Sequence, residues 1–488
     1  MHKEYTEKEL EVIIGLEIHV QLKTKSKLFC GCSVGDENAL PNEHICPVCF
    51  GMVGTLPLLN KKAFRLAVHA ATALRCGIAQ HCKWDRKQYF YPDLPKGYQI
   101  SQYDEPLATN GMLEFFIDEK TTKKIRINRV HLEEDAAKLI HTDDVTLVDF
   151  NRSSVPLIEI VTEPDFRSAS DAKMAVKELQ RIIRYLGVSD ADMEKGHLRC
   201  DASVSLRPIE DEKLYPRTEI KNLNSFHMIE RAIQYEVARQ KNEWMKGTPP
   251  VHYQTVLWND TKKRTEFMRE KEQEADYRYF PEPDIPEIEL TECLQNELLA
   301  FAEEDMQLPT DSVKEYMHLG IDYSTAQYVA GDAPLMKYMS QILEYTHDDR
   351  KFIQELSKWF AEIFLSLIKK NSVTNIHLLP EDFVTIVRAV QKKQITRSVG
   401  KELMVEAAYK KMDVISKIDE CSRTDEVGGR DIEKIVDEVL KQNISLVEQY
   451  RNGKTKVIHA LIGKAIKKSG GHIPVEKISQ VVRNKLHI

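Results

Sequence analysis

Hydrophobic and polar residues alternate along much of the first part of the chain. Between Leu16 and Leu22 every second residue is apolar, and the residues between them, Glu17, His19 and Gln21, are polar or charged. A period of two is typical of a β-strand with one buried face. The segment therefore predicts a strand whose polar side chains share one face of a sheet.

The second part of the chain has a helical pattern instead. An apolar stripe at helical spacing is formed by Phe352, Ile353, Leu356, Trp359, Ile363, Phe364 and Leu367. Proline usage changes at a similar place, because 15 of the 19 prolines lie in residues 1–293. We therefore predict an α+β fold, with a large sheet-containing domain that ends near residue 293 and helical modules after it.

Charge is distributed unevenly along the chain. The formal net charge is −7, which by itself argues against a nucleic-acid-binding protein. Residues 451–488, however, hold nine basic residues against one acid, Glu476. These basic residues are Arg451, Lys454, Lys456, Lys464, Lys467, Lys468, Lys477, Arg483 and Lys485. The segment also has helical periodicity up to Gly470-Gly471, where we expect a helix to end. It is either a solvated basic face or a contact to a phosphate backbone.

Composition also suggests a compartment. We find no apolar run near the roughly 18 residues that a spanning helix needs, and no apolar stretch of a signal peptide near the first residue. The nine cysteines are an odd number, which favours reduced thiols over a disulfide framework. We therefore expect a cytoplasmic protein that does not enter the membrane.

Four of the cysteines are clustered. Cys30 and Cys32 form one close pair, and Cys46 and Cys49 form a second pair after a short loop. Two such pairs can place four thiolates around Zn²⁺ and leave no open coordination position, so the metal would be structural. Four buried free thiols are the alternative, and metal analysis of the purified protein distinguishes the two.

Acidic residues at three other places suggest a second site. Glu17 and His19 share a strand face, although a solvated sheet face is the ordinary interpretation of such a pair. Residues 133–135 are three acids in a row, and in an extended strand Glu133 and Glu134 would point to opposite faces. Glu159 interrupts an apolar run, where a lone carboxylate is costly unless it is paired or binds a metal. A structural salt bridge is the alternative for Glu159.

Oxygen ligands with one imidazole suit an open Mg²⁺ site that also binds substrate phosphate. The chain has neither a G-x-x-x-x-G-K-[ST] loop nor a dinucleotide-binding glycine motif, so a nucleotide would be held in another way. In residues 84–103, basic residues including Lys87 are interleaved with aromatic ones. Such a loop can hold an anion and stack a base, although aromatic packing under a loop is the simpler interpretation.

Several of these motifs together resemble a known family, the B subunit of the three-subunit aspartyl/glutamyl-tRNA amidotransferase. The resemblance runs from about residue 10 to the C-terminus. It rests on residues 15–20, 85–103, 131–136, 151–161, 198–202, 220–226 and 276–284. It implies a cradle-like domain of mixed or antiparallel sheet over residues 1–293, an all-α domain over 294–408 and a small helical tail domain over 409–488.

The resemblance also implies a reaction. A misacylated Glu-tRNA(Gln) or Asp-tRNA(Asn) is bound, ATP phosphorylates its side-chain carboxylate, and ammonia displaces the phosphate. The ammonia comes from an amidase-type glutaminase subunit, and a small third subunit completes a heterotrimer. We find no glutaminase motif in this chain, which agrees with a separate partner. The basic tail would bind the tRNA through Lys454, Lys456, Lys464, Lys467, Lys468 and Arg483.

Site residues follow from the same resemblance. Mg²⁺ would be bound by His19, Glu134 and Glu159. Glu17 and Glu133 would line the same pocket, and Lys87 would lie beside the reacting group. Two rival hypotheses remain: a non-catalytic, zinc-stabilised tRNA adaptor, and an Mg²⁺-dependent ligase that joins a carboxylate to an amine on a small molecule. ATP hydrolysis that depends on charged tRNA would exclude the adaptor, and the basic tail argues against a small substrate.

Overall fold

The structure is a computed structural model that divides into two compact units, Met1–Asp311 and Ser312–Ile488. The residues that it describes are 5–34, 38–270, 274–291, 294, 296–298, 307–346, 349–368, 375–427, 429–451, 454–468 and 475–486. The first unit therefore includes residues beyond the predicted boundary near residue 293. The division into three domains stays a prediction.

A nine-stranded sheet is the centre of the first unit. Its strands, in chain order, are β1 (Leu10–Gln21), β2 (Gly77–Ile78), β6 (Ala108–Phe116), β7 (Thr122–Glu134), β10 (Pro156–Thr162), β11 (Leu198–Pro208), β12 (Thr218–Leu223), β13 (Gln254–Asn259) and β14 (Arg264–Glu270). In space the order is β14-β13-β12-β11-β1-β10-β7-β6-β2. Neighbouring strands are antiparallel except β12 and β13, which are parallel. The predicted mixed or antiparallel sheet is confirmed: it is mixed, with one parallel pair.

Helices cover one face of this sheet. They are α1 (Lys61–Ala73), α2 (Ala169–Tyr185) and α3 (Phe226–Met245). Each begins at a residue whose side chain accepts a backbone N–H of the first turn, Asn60, Ser168 and Ser225 respectively. Apolar residues of the strands and of these helices form one continuous core. The opposite face of the central strands is left for polar side chains.

Smaller sheets and turns complete the first unit. A three-stranded sheet joins β4 (Asp85–Gln88), β5 (Tyr98–Ser101) and β15 (Phe280–Pro281). Two ribbons pair β3 (His81–Cys82) with β16 (Ile288–Glu289), and β8 (Lys138–His141) with β9 (Thr146–Asp149). Short 3₁₀ turns lie at Glu7–Glu9 and Glu274–Tyr277. The three-stranded sheet connects two segments that are almost 200 positions apart.

Helices make up the second part of the chain, as predicted. They are α4 (Pro309–Leu319), α5 (Tyr323–Val329), α6 (Ala333–Glu344), α7 (Arg350–Trp359), α8 (Leu365–Ile368), α9 (Pro380–Gln391), α10 (Arg397–Tyr409), α11 (Val414–Val427), α12 (Gly429–Gln442), α13 (Ile444–Arg451), α14 (Ile458–Lys468) and α15 (Val475–Lys485). A π-helical turn, Phe360–Phe364, joins α7 to α8, and a 3₁₀ turn at Thr455–Val457 precedes α14. The apolar stripe predicted from Phe352 onward is buried.

The tail has a small core of its own, formed by α12, α14 and α15. Its buried residues include Val436, Leu461, Ala465, Ile478 and Val482. The helical periodicity predicted for the tail is thus confirmed, and its apolar residues form a packing face. Gly470 and Gly471, at which we expected a helix to end, lie outside the described residues. Among the described residues, no helix combines the length and the apolarity that a membrane span requires.

Candidate active site and thiol cluster

Polar side chains line up across the central strands on the face that the helices leave uncovered. In the register of the sheet, His19 of β1 lies opposite Glu159 of β10 on one side and Arg199 of β11 on the other. Glu159 in turn lies opposite His131 of β7. Because opposed residues of antiparallel strands share a face, four charged or titratable side chains form one row across four strands.

Three of these strands bring ligand-type atoms together. His19 Nε2 lies 3.1 Å from Glu133 Oε1 and 3.2 Å from Glu159 Oε2. His131 Nε2 approaches both carboxylates, at 3.8 Å from Glu133 and 3.7 Å from Glu159. Both acids are buried, and His131 Nδ1 has no hydrogen-bond partner among the described residues. We call His19, Glu133 and Glu159 the carboxylate cluster.

The electrostatics of the carboxylate cluster favour positive charge. Burial opposes a cation at His19, but Glu133 and Glu159 together raise the pKa of His19 to about 10. Burial likewise opposes ionisation of Glu159, yet the neighbouring His131 and the hydrogen bond with His19 lower its pKa to about 2. The cluster therefore holds two buried carboxylates that attract a cation.

The donor set and its spacing fit Mg²⁺. One nitrogen and two carboxylate oxygens of the carboxylate cluster lie within 4.8 Å of one another. In an octahedral site with bonds of about 2.1 Å, adjacent ligand atoms are about 3 Å apart, close to the distances from His19 to the two acids. Three protein ligands leave positions for water or substrate phosphate, so the residues present suit an open magnesium site.

Glu134, predicted as a magnesium ligand, lies elsewhere. It pairs with Lys96 and accepts the backbone N–H of Ile100 at 2.9 Å, both in the segment around β5. Its second oxygen, Oε2, is buried without a hydrogen-bond partner among the described residues. Successive side chains of a strand point to opposite faces, so β7 presents Glu133 and not Glu134 to His19 and Glu159. Only one of the two acids faces the cluster, as the alternation predicted.

Asp135 organises two arginines beside the carboxylate cluster. It accepts Arg152 Nε at 2.5 Å and an Nη of Arg199 at 2.9 Å. Burial opposes ionisation of Asp135, but Arg199 and Arg152 keep its pKa below the ordinary value. Arg199 keeps 37% of its side chain exposed, so it can still reach an anion. The pair thus places a fixed cation next to the carboxylate cluster.

Glu17 lies on the same face, one step along β1 from His19. It stands opposite Asp201 of β11, which binds Lys221 at 2.7 Å. Burial opposes the cation, but Asp201 and the other nearby acids, Glu17 among them, raise the pKa of Lys221. Glu17 also lines a cleft together with Ser203, among other residues. The structure therefore places Glu17 next to the carboxylate cluster but beside a different set of partners.

Lys87 lies on β4, which belongs to the small three-stranded sheet. Its ammonium stands over the Tyr277 ring at 4.7 Å and over the Tyr89 ring at 6.0 Å. Arg86, the neighbour of Lys87 on β4, joins this strand to the segment that follows Tyr277. Its guanidinium binds Glu282 with two hydrogen bonds of 2.6 and 2.9 Å. Among the described residues Lys87 has no carboxylate partner, so its charge is available to an anionic ligand.

The four clustered cysteines come together as predicted. Cys30, Cys32, Cys46 and Cys49 place their sulfurs within 4.8 Å of one another. Cys49 Sγ lies 4.0 Å from that of Cys32 and 3.9 Å from that of Cys46. Tetrahedral zinc with bonds of about 2.3 Å separates its sulfurs by about 3.8 Å, so the four thiols fit Zn²⁺. We call them the thiol cluster.

The thiol cluster also contains one thiol that ionises easily. A hydrogen bond from Cys30 lowers the pKa of Cys49 to about 4 in spite of burial, with help from the backbone N–H of Cys46 and from the Lys27 ammonium. Cys32 behaves in the opposite way, because burial raises its pKa to about 11. A metal binds the thiolate form, and the surroundings of Cys49 already favour that form.

The six tail residues predicted to bind tRNA are exposed. They are Lys454, Lys456, Lys464, Lys467, Lys468 and Arg483. Two of them have partners: Lys468 pairs with Glu438 at 2.7 Å, and Lys464 donates to Asn443 at 2.7 Å. Lys485 pairs with Asp437 at 2.9 Å. Acids of α12 therefore neutralise part of the basic charge of the tail.

Some residues of these sites were not predicted from the sequence, and three of them are notable. His131 and Arg199 stand in the row across the sheet, and Lys27 lies under the thiol cluster. His131 and Arg199 lie in motifs that carry the resemblance to a family, but neither was predicted as a site residue. The sequence does hold a signal for both residues, because each occupies a polar position in a strand where apolar and polar residues alternate. Lys27 gives no signal in the sequence, because lysine is ordinarily exposed.

Comparison with known proteins gives a consistent result. The family model described as "GatB/GatE catalytic domain" matches residues 12–296, and the model described as "GatB domain" matches residues 338–486. A relative from Carboxydothermus hydrogenoformans, named as the B subunit of aspartyl/glutamyl-tRNA(Asn/Gln) amidotransferase, is 39% identical over 98% of this chain and 99% of its own length. A relative from Ricinus communis, named as the chloroplastic/mitochondrial B subunit of glutamyl-tRNA(Gln) amidotransferase, is 39% identical over 98% of this chain and 88% of its own length.

Proposed function

Because the chain belongs to the family of B subunits of aspartyl/glutamyl-tRNA(Asn/Gln) amidotransferase, we propose that it is the transamidating subunit of such an enzyme. It converts misacylated Glu-tRNA(Gln), Asp-tRNA(Asn) or both into the amidated aminoacyl-tRNA, with ATP as co-substrate. The observation that carries this proposal is the carboxylate cluster of His19, Glu133 and Glu159 in the centre of the uncovered sheet face.

The reaction needs an activated carboxylate. A free carboxylate reacts poorly with ammonia because oxide is a poor leaving group, and transfer of phosphate from ATP makes an acyl phosphate that ammonia can displace. The work of the protein is then to position the groups and to neutralise charge. Mg²⁺, when bound to the carboxylate cluster, supplies charge neutralisation at the phosphates.

Residues of the chain have separate tasks in this scheme. His19, Glu133 and Glu159 hold the metal, and Arg199, fixed by Asp135, offers a cation to phosphate oxygens. The remaining residues proposed for catalysis stay in the roles that the resemblance implies. Lys87 neutralises charge beside the reacting carboxylate, supported by its open ammonium, and Glu17 lines the adjacent cleft. Glu134, which the resemblance gave as a metal ligand, instead anchors the segment around β5 through Lys96.

Partners and cofactors follow from the same proposal. The relatives are named as subunits, which supports an assembly with an amidase-type glutaminase that supplies ammonia and with a small third subunit. The thiol cluster binds a structural Zn²⁺, supported by its sulfur distances. The described cysteines are all free, which supports a reducing compartment, and we propose the cytoplasm.

The tail is proposed to hold the tRNA backbone. Of the six residues, Lys454, Lys456, Lys467 and Arg483 are exposed and make no ion pair with a described residue. Contacts of lysine and arginine to phosphates release counter-ions, so removal of residues 409–488 should weaken tRNA binding and flatten its dependence on salt. Unchanged affinity after the deletion would contradict this part of the proposal.

One experiment tests the central proposal. The chain is co-expressed with a glutaminase subunit and a small third subunit, and the complex is given ATP and each misacylated tRNA with either glutamine or ammonium. We expect amidated tRNA with both nitrogen donors, and ATP hydrolysis that requires the misacylated tRNA. The adaptor hypothesis predicts no such hydrolysis. In the same assay with ammonium, full activity of Glu159→Ala would contradict the assigned site.

A further inference from the structure

Lys27 is one of the largest fully buried side chains of the described residues, with 0% of its surface exposed. Its ammonium has two partners: it donates to Cys49 Sγ at 3.4 Å and to the backbone oxygen of Phe150 at 3.1 Å. No carboxylate within the described part of the chain pairs with it. A lysine in this position is unusual, since lysine is almost never fully buried unless it is paired.

A buried ammonium needs a nearby negative charge. Moving an unpaired charge out of water costs several kcal/mol, and the carbonyl of Phe150 has only a partial charge to offer. The sulfur of Cys49 is the remaining partner, and it carries a full negative charge only as a thiolate. Four neutral thiols would leave Lys27 uncompensated, whereas four thiolates around Zn²⁺ carry a net charge of −2 that one ammonium reduces to −1.

We propose that Lys27 is a positioning residue of the zinc centre: its buried ammonium donates a hydrogen bond to Cys49 Sγ and slows the loss of the metal. The ammonium donates a hydrogen bond to sulfur and offsets part of the negative charge of the centre. Both effects stabilise the zinc-bound state. This inference rests on the proposed zinc centre and goes beyond it, because the four cysteines by themselves complete the coordination of zinc.

The contacts of Lys27 also join the thiol cluster to the approach to β10. Besides the bond from Lys27 to Phe150, Ser153 Oγ donates to the Cys49 carbonyl at 3.0 Å. The backbone N–H of Leu28 donates to the Ser154 carbonyl at 2.8 Å. The segment that receives these bonds leads directly into the strand of Glu159. A zinc centre secured by Lys27 thus supports the turn that precedes a residue of the carboxylate cluster.

The test compares Lys27→Met with Lys25→Met in the full chain. Methionine has nearly the length of lysine without its charge, and Lys25 is an exposed residue of the same loop that serves as a matched control. Zinc content is measured by elemental analysis, and zinc release to a chromogenic chelator is followed by absorbance. Residues that orient metal ligands typically contribute 10- to 100-fold to metal affinity, so we expect Lys27→Met to release zinc about 10-fold faster. Lys25→Met should match the wild type.

A second variant and a second measurement separate the possible outcomes. Lys27→Gln retains an N–H donor without the charge and should fall between the wild type and Lys27→Met. In the wild type, amine acetylation read by mass spectrometry should spare Lys27 when zinc is bound and modify it after zinc is stripped, which needs no variant to fold. Equal acetylation in both states, or equal release from a folded Lys27→Met, would overturn the role of Lys27. A wild type without zinc would overturn the zinc centre itself.

Discussion

The thiol cluster and the carboxylate cluster are built in opposite ways. The four cysteines lie within twenty positions of one another, on loops, and their sulfurs are held by local contacts such as the backbone N–H of Cys46 donating to Cys49 at 3.2 Å. His19, Glu133 and Glu159 come from three distant segments and are brought together by the register of β1, β10 and β7. The first site stabilises its own surroundings, whereas the second depends on a sheet that other residues stabilise.

The two sites also differ in how many coordination positions of a bound metal they leave free. Four thiolates complete the coordination of zinc, so the thiol cluster is suited to holding structure. Two carboxylates and one imidazole leave several positions of Mg²⁺ free, so the carboxylate cluster is suited to binding a changing set of oxygens. Loss of the first site should therefore appear mainly in stability, and loss of the second mainly in activity.

The largest effect should come from destroying the thiol cluster. In Cys46→Ser/Cys49→Ser we expect loss of bound zinc and of hydrogen-exchange protection in residues 26–34 and 46–60, because zinc contributes about 10 kcal/mol in small zinc modules. Exchange is read by mass spectrometry. Omission of magnesium from the buffer is the matched condition and should leave this protection unchanged. Equal loss of protection in both cases would remove the contrast between the sites.

A smaller effect, on activity alone, should follow from Glu133→Gln. Without this carboxylate the cluster loses a metal ligand, and we expect single-turnover amide formation with ammonium to fall about 100- to 1,000-fold. The thermal midpoint should stay close to the wild-type value, because His19 and His131 keep Glu159 as a carboxylate partner in the variant. A variant that melts well below the wild type would show that this acid has a structural role.

Substitution of Glu134, the neighbour of Glu133, should reduce stability and not activity. Glu134→Gln breaks a buried pair and leaves Lys96 without its partner, so we expect a loss of about 3 kcal/mol in the free energy of unfolding of the first unit. Urea unfolding measures this loss. The double variant Glu134→Gln/Lys96→Met should recover part of it, because no uncompensated charge remains. If Glu134→Gln instead abolished activity in a fully stable protein, Glu134 would be the metal ligand after all.

The smallest effect should come from the link between the thiol cluster and β10. Ser153→Ala removes the hydrogen bond to the Cys49 carbonyl, and we expect a loss of about 1 kcal/mol in local stability, read as faster exchange in residues 150–155. Amide formation should be unchanged. Ser366→Ala, which removes a hydrogen bond to Ile363 in the second unit, is the control. If it speeds exchange in residues 150–155 as much as Ser153→Ala does, the change is not specific to the link.

The thiol cluster could be predicted from the sequence because its geometry is local. Spacing alone brings Cys30, Cys32, Cys46 and Cys49 close together, and the structure confirms that proximity. The strand at Leu16 to Leu22 was predicted for the same reason, since alternation is a local property. The helical stripe from Phe352 was also predicted, although the spacing could not reveal that part of it is a π-helical turn.

The carboxylate cluster was less predictable because its members are far apart in the chain. Alternation showed that Glu133 and Glu134 must point to opposite faces, but only the pairing of β7 with β10 decides which of them meets Glu159. The partner of Glu134 is Lys96, on a segment whose approach to β7 leaves no pattern in the sequence. Lys27 was missed because its burial depends on a cysteine 22 positions away.

The register of β1, β10 and β7 limits where the gene can gain or lose codons without loss of the site. Addition or loss of a single codon within one of these strands would turn His19, Glu159 or Glu133 towards the helices and destroy the site without altering any functional residue. Codons gained in the β8–β9 ribbon would have no such effect, because that ribbon pairs only with itself. Tolerance of insertions is thus distributed by strand pairing and not by distance from the active site.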